Sequence, residues 1–152
     1  MTDQSLEQLY SKRILALACD IPHAGKLTAA DASVRKRSPL CGSTVTVDLT
    51  LADGKVADFA QNVKACALGQ ASAAVLGAKV VGLDRATIEA GRAALRTMLT
   101  EDGPTPPAPF EALEALRPAQ AYKNRHPSIL LAWDATLDAF DQARAVSTEK
   151  AN

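Results

Sequence analysis

The sequence predicts an α+β fold: a small antiparallel sheet of about three strands with helices packed on one face. Three observations lead to it. Residues 44–51 alternate, with Val45, Val47, Leu49 and Leu51 on one side and Thr44, Thr46, Asp48 and Thr50 on the other. That period of two belongs to a half-buried strand. Asp53-Gly54 follows, and both residues tolerate the positive φ that a two-residue hairpin turn needs. Far along the chain, Leu130, Trp133, Leu137 and Phe140 recur at i, i+3, i+7 and i+10, the stripe of an amphipathic helix.

The elements follow in order. Asp3 or Ser5 is placed to cap a first helix through about Ala18, with Leu6, Leu9, Tyr10, Ile14 and Leu17 along one side. Cys19 at its end reads as a small buried apolar residue, and Asp20 and Pro22 stop the helix. His23, in a loop beside Gly25, reads as a polar surface group. Residues 24–33 form a connector, and Val34 to Arg37 a short strand. Its Arg35-Lys36-Arg37 run fits a charged, solvated strand edge, with docking of an acidic partner as the alternative.

The return strand of the hairpin spans about Val56 to Val63. Cys66 starts a helix through about Val81, whose Gly69, Ala71, Ser72, Ala73 and Ala74 allow close packing. A thiol at a helix start sits near unpaired backbone N–H groups, so Cys66 is expected to have a lowered pKa. Asp84 caps the next helix, with Leu83 and Ile88 as a hydrophobic staple and Ile88, Gly91, Leu95, Met98 and Leu99 inward. Four prolines between Asp102 and Pro109 impose an extended loop. Phe110 to Arg117 is expected to be a short helix with Leu113 and Leu116 inward, stopped by Pro118. Ser128, after His126-Pro127, is placed as N-cap of the last helix, with Asp134, Asp138 and Asp141 facing water. Beyond Ala145 the sequence turns polar, and fraying is expected.

Composition bounds the function. A chain of 152 residues suits one domain, expected over residues 1–146 with a polar tail at 147–152. Its 17 basic and 17 acidic residues cancel, which excludes strong unspecific attraction to nucleic acid or a membrane surface. Hydrophobic residues reach 47% while aromatics are only 4%, which favours helices packed through small residues over an all-β sandwich. Residues 1–10 are polar and acidic, and no apolar run is long enough to span a bilayer. A cytoplasmic location with three reduced cysteines is therefore expected.

Folding the 44–63 hairpin in half brings Cys41 and Cys66 together. Two thiolates at one spot serve metal or sulfur chemistry, unless an oxidising compartment joins them. The string SPLCG, then a strand, an Asp-Gly turn and ACALGQASA, resembles the IscU/SufU/NifU-type iron–sulfur cluster assembly scaffolds. The likeness runs from LYSKRILALACDIPHAGKL to the Trp133 helix. It implies a non-enzymatic scaffold that takes sulfur from a cysteine desulfurase, builds a transient [2Fe–2S] cluster and passes it to client apo-proteins.

Carried over residue by residue, the resemblance makes Cys41 and Cys66 the cluster ligands. Ser43 stands where the family has the aspartate of Cys-Gly-Asp, and Ser128 where it has a third cysteine. His126 lies two residues before Ser128, whereas the IscU branch places a histidine immediately before that cysteine, and it is the candidate third ligand. The Leu-Pro-Pro-Val-Lys chaperone-recognition motif of that branch is missing. A serine hydroxyl is a poor ligand because it does not ionise readily, so the bland readings are a helix cap for Ser128 and a strand entry for Ser43. Three functions stay open. One is a scaffold for a labile cluster, or for zinc. Another is a sulfur acceptor carrying persulfide on Cys66 or Cys41. The third is a metal-free interaction module that keeps the family's partner surface.

Overall fold

The computed structural model describes residues 9–39 and 41–151, with side chains described through Val146. In chain order the elements are α1 (Lys12–Cys19), β1 (Ala32–Arg37), β2 (Thr44–Ala52), β3 (Lys55–Lys64), α2 (Ala67–Lys79) and α3 (Arg85–Glu101). Two 3-10 segments (Glu111–Ala121 and Lys123–Arg125) and α4 (His126–Ala151) complete it.

The strands form one antiparallel sheet in the order β1-β2-β3. Asp53 and Gly54 turn the hairpin with φ of 54° and 75°, the mirror-image turn that matches strand twist. In register, Val34 lies opposite Val47. Val34, Val45, Val47 and Leu49 are all buried and form the inner face. The opposite face carries Arg35, Arg37, Thr44 and Thr46. Asp48 on that face is buried because the 24–31 connector crosses it. It accepts from Ser33 Oγ at 2.6 Å and from the Leu27 N–H at 3.1 Å.

The inner face packs on α2 and α4, with α3 and the long 3-10 segment behind them. Gly91 of α3 lets this layer close. A Cβ there would come within 2.6 Å of the Phe110 ring and 2.8 Å of Trp133. Asp84 caps α3 by accepting from the Thr87 N–H at 2.9 Å, and the five residues expected inward are its buried ones. No helix among the described residues is long and apolar enough to cross a membrane.

Several local expectations are corrected. The caps assigned to Asp3 and Ser5 lie outside the described residues. Within them, α1 has its own cap, Ser11, whose hydroxyl accepts from the Ile14 N–H at 3.2 Å. Cys19 is exposed and not buried, because α1 buries Ile14 and Cys19 points well round the helix from it. Residues 111–121 form a 3-10 segment that continues through Pro118 instead of an α-helix stopped there. Phe110, Leu113, Leu116 and Ala119 are all buried at a spacing of three. That is the period of a 3-10 helix, which aligns side chains along one edge.

The last helix also begins earlier than expected, at His126, and stays helical through Ala151, past Ala145 where fraying was expected. Pro127 suits its first turn, where no backbone N–H is missed. Asp134, Asp138 and Asp141 do not simply face water: they pair with Arg92, Lys36 and Arg85, the last two at 2.8 and 2.7 Å. Such half-exposed pairs contribute about 0–1 kcal/mol each, so they fix orientation more than stability.

Candidate functional site

Three chain segments meet at one end of the sheet. After β1, the chain turns tightly from Ser38 to Ser43: the Ser38 N–H donates to the Ser43 carbonyl and the Gly42 N–H to the Ser38 carbonyl, both at 2.8 Å. Gly42 holds φ of 73°, a left-handed conformation that favours glycine, which explains the Cys-Gly pair. Cys41 rides this turn, exposed. Two residues past β3, Cys66 is the N-cap of α2 and is half-buried. Ser128 enters from the first turn of α4.

Their side chains form a continuous line. Cys41 Sγ is 3.1 Å from Ser43 Oγ, which is 3.1 Å from Ser128 Oγ, which is 3.6 Å from Cys66 Sγ. Both serines are buried. Ser128 is therefore not the helix cap that sequence predicted, because α4 starts two residues before it. Ser43 is not a bland strand entry either, since its hydroxyl spans the gap between Cys41 and Ser128. Gly69 permits the convergence: a Cβ there would lie 2.7 Å from Ser128 Oγ and 3.0 Å from its carbonyl oxygen. Any larger residue would push the starts of α2 and α4 apart.

His126 is not drawn into the cluster. It is buried, with Nε2 2.9 Å from the Ala119 carbonyl oxygen, so its tautomer is spent on the neighbouring 3-10 segment. Among the described residues, no three His, Cys, Asp or Glu side chains group so as to hold a metal ion. His23, in the connector, is exposed and sits edge-on to Phe59 with ring centroids 6.1 Å apart. A surface cavity lined by Glu114, Arg117, Pro118, Gln120 and Ala121 contains neither thiol. A smaller one touches the site's flank at Ser38, Pro39 and Pro127.

The Cys41 thiol is lowered from the ordinary 9.0 to about 7. Ser38 contributes most, then the Ser43 hydroxyl, against the opposing effect of burial; the Ser43 N–H and the Ser128 hydroxyl add to the lowering. Ser38 Oγ is buried with no other hydrogen-bond partner, so it is free to donate to the ionised sulfur. Sequence reasoning missed this residue, although it opens the motif around Cys41. Because the folded thiol is half ionised near pH 7, iodoacetamide should alkylate Cys41 with a midpoint near that pH. Ser38→Ala should move the midpoint upward, as read by mass spectrometry of the alkylated peptide. An unchanged midpoint would reject Ser38 as the cause.

Two thiols and two hydroxyls are thus gathered between a sheet end and two helix starts. Residues 9–139 match the model of the NifU-like N-terminal domain, and the chain belongs to that family. It is thereby a member of the IscU/SufU/NifU-type iron–sulfur cluster assembly scaffolds that its motifs resemble. The crystal structure of the N-terminal part of a nitrogen-fixing NifU-like protein from Brucella abortus is 43% identical. The match covers 93% of this chain and 98% of that one, with a TM-score of 0.89. A protein described as an iron–sulfur cluster assembly scaffold for the SUF system, from Fervidobacterium islandicum, shares the fold at 19% identity and a TM-score of 0.79. That match covers 88% of this chain and 98% of the other. No curated protein matches the chain.

Proposed function

We propose that this chain receives sulfur and iron at Cys41 and Cys66, holds them as a transient [2Fe–2S] cluster, and hands the cluster to client apo-proteins. The line of contacts Cys41–Ser43–Ser128–Cys66 supports this reading above any other observation. It links the two thiols through a pair of buried hydroxyls. The cluster is cargo and not a resident cofactor, so a site open to solvent suits its release. Two serines in place of an aspartate and a cysteine weaken the grip further, because hydroxyls donate hydrogen bonds to sulfur but do not ionise to ligands. The chain acts as a scaffold, not as a catalyst.

Sulfur delivery is the step the exposed thiol fits. The Cys41 thiolate attacks the outer sulfur of a persulfide on a cysteine desulfurase. A new S–S bond forms on Cys41, the donor's S–S bond breaks, and the donor cysteine leaves as a thiolate. This transfer needs no oxidant, and turning the transferred sulfur into the sulfide of the cluster takes two electrons per sulfur, which an external electron donor such as a thiol or an electron-transfer protein supplies as the Cys41 S–S bond breaks. The lowered pKa of Cys41 keeps a useful thiolate fraction at neutral pH without making it a weak nucleophile. This observation also favours the second reading, a sulfur acceptor that never assembles iron. Zinc is the competing ion for the same thiolates.

Anaerobic incubation with iron and sulfide separates the two readings. The natural chain should take up both in equal amounts and gain the visible absorption of an iron–sulfur cluster. Cys41→Ala and Cys66→Ala should each lose at least about 90% of that absorption, since each removes half of the thiolates. Persulfide on Cys41 without any retained iron would leave only the sulfur-acceptor reading standing.

A further inference from the structure

An open sheet ends in edge strands, and β1 is one: among the described residues it pairs only with β2. The Ser38 N–H donates to the Ser43 carbonyl, so position 38 turns its backbone toward β2. Backbone direction alternates along a strand. Val34 and Lys36 therefore turn the same way, and the N–H and C=O groups of Ser33, Arg35 and Arg37 point off the sheet. Among the described residues no hydrogen bond closes these outward groups. We infer that β1 takes a further strand from a partner protein, an extended segment whose side chains alternate between acidic and apolar.

The two faces beside this edge set those two chemistries. On the outer face, Arg35 and Arg37 are exposed and form no ion pair among the described residues. Lys64 extends the charge, since Arg37 lies opposite Thr44 and Thr44 opposite Lys64. Asp48, further along that face, is occupied by Ser33 and the Leu27 N–H. A strand laid beside β1 puts every second side chain on this face, where opposite charges on neighbouring strands attract. On the inner face, a cavity of about 340 Å³ opens between the end of β1 and α4. Its ion pairs, Lys36–Asp138 and Arg92–Asp134, are balanced within the chain. Pro39, Pro127, Leu130 and Leu131 leave the rest of the lining apolar. In strand addition the main chain supplies affinity, and pockets for alternate side chains supply specificity.

The charge that admits such a segment also protects the edge. A second copy laid on β1 would bring arginine against arginine, which keeps like edges apart. An acidic strand meets the opposite sign and is drawn in. The place has a use as well: β1 runs into the 38–43 turn that carries Cys41, so a partner seated here lies beside the exposed thiol. Pairing itself needs neither iron nor sulfur, and its test is separate from that of cluster assembly.

The probe is a short synthetic peptide alternating glutamate and valine, added to the full chain, reduced and free of metal. Amide hydrogen exchange followed by NMR should slow at Ser33, Arg35 and Arg37. Arg35→Glu/Arg37→Glu should weaken binding at least about tenfold and should instead accept the lysine–valine peptide. Both positions are exposed, so the variant keeps the fold, and circular dichroism checks it. Methylating the peptide's amide nitrogens at every second residue should abolish binding without changing its charge. Absence of binding by the glutamate–valine peptide would overturn the inference. So would binding that leaves the three amides unprotected or survives methylation, because charge alone would then explain it. Protection that grows with the concentration of the chain alone would give the edge to a second copy, and preference for anionic phospholipid vesicles would give it to a membrane; either overturns the partner strand.

Discussion

Ser43→Asp/Ser128→Cys should bind one zinc ion per chain at least a thousandfold more tightly than the natural sequence. The geometry places both substitutions where a third and fourth ligand are needed. Ser43 Oγ lies 3.1 Å from Cys41 Sγ, and Ser128 Oγ 3.6 Å from Cys66 Sγ. The two hydroxyls touch each other at 3.1 Å, so the four side chains form one unbroken run of contacts. Three thiolates and a carboxylate make a complete tetrahedral set for zinc. In the metal-free protein the substitutions are unfavourable. Ser43 and Ser128 are buried, a new carboxylate there loses hydration, and sulfur is larger than oxygen in the space Gly69 leaves. Overpacking of this kind costs about 1–3 kcal/mol. A structural zinc site binds with about 10–16 kcal/mol, so coordination wins by a wide margin. Competition against a chromophoric chelator measures the difference, and thermal unfolding without metal measures the penalty. Equal affinity in both proteins would show that these side chains do not converge in solution.

The hairpin was readable because β2 alternates up to Leu49 and the turn obeys a local rule, whereas the register shift between Thr50 and Leu51 carried no such signal. Val45, Val47 and Leu49 alternate with polar partners, and Asp53-Gly54 supplies two positive φ angles, so register follows from the chain itself. The face of α3 was readable for the same reason: Asp84, Ile88, Leu95 and Met98 carry their signals within the helix. The site was only half readable. Cys41 and Cys66 could be paired from the hairpin and the family motif. The roles of Ser128 and His126 depend on where α4 begins, and that start is set by the 3-10 segment before it. Once Leu113, Leu116 and Ala119 bury their common edge, the Ala119 carbonyl faces His126 and the helix opens two residues early. Ser128 then turns inward, onto Ser43 and Cys66. Ser38 was invisible for a similar reason: its importance lies in being a buried hydroxyl without another partner, a property of packing and not of sequence.

Trp133→Ala should destabilise the fold by about 3–5 kcal/mol, the range for deleting a fully buried large aromatic side chain. Trp133 is 0% exposed and meets Phe110 edge-to-face at a centroid distance of 4.8 Å. Its Nε1–H donates to Ser72 Oγ at 2.9 Å, and the Ser72 hydroxyl donates onward to the Ile129 carbonyl at 2.7 Å. That relay fastens α2 to α4 one residue from Ser128. Because Ile129 neighbours Ser128 and Ser72 shares a helix with the Cys66 cap, it also holds the thiol site together. Ser72→Ala should cost less, about 1–3 kcal/mol, by leaving the indole N–H buried and unpaired. The double variant should then cost less than the two single losses combined, since both remove the same hydrogen bond. Trp133 is the sole tryptophan, so urea unfolding should be followed by circular dichroism and not by fluorescence. A loss below about 1 kcal/mol in Trp133→Ala would mean that the α2–α4 contact can repack without it. Strict additivity in the double variant would sever Ser72 from the indole, and with it the link from the core to the cysteines.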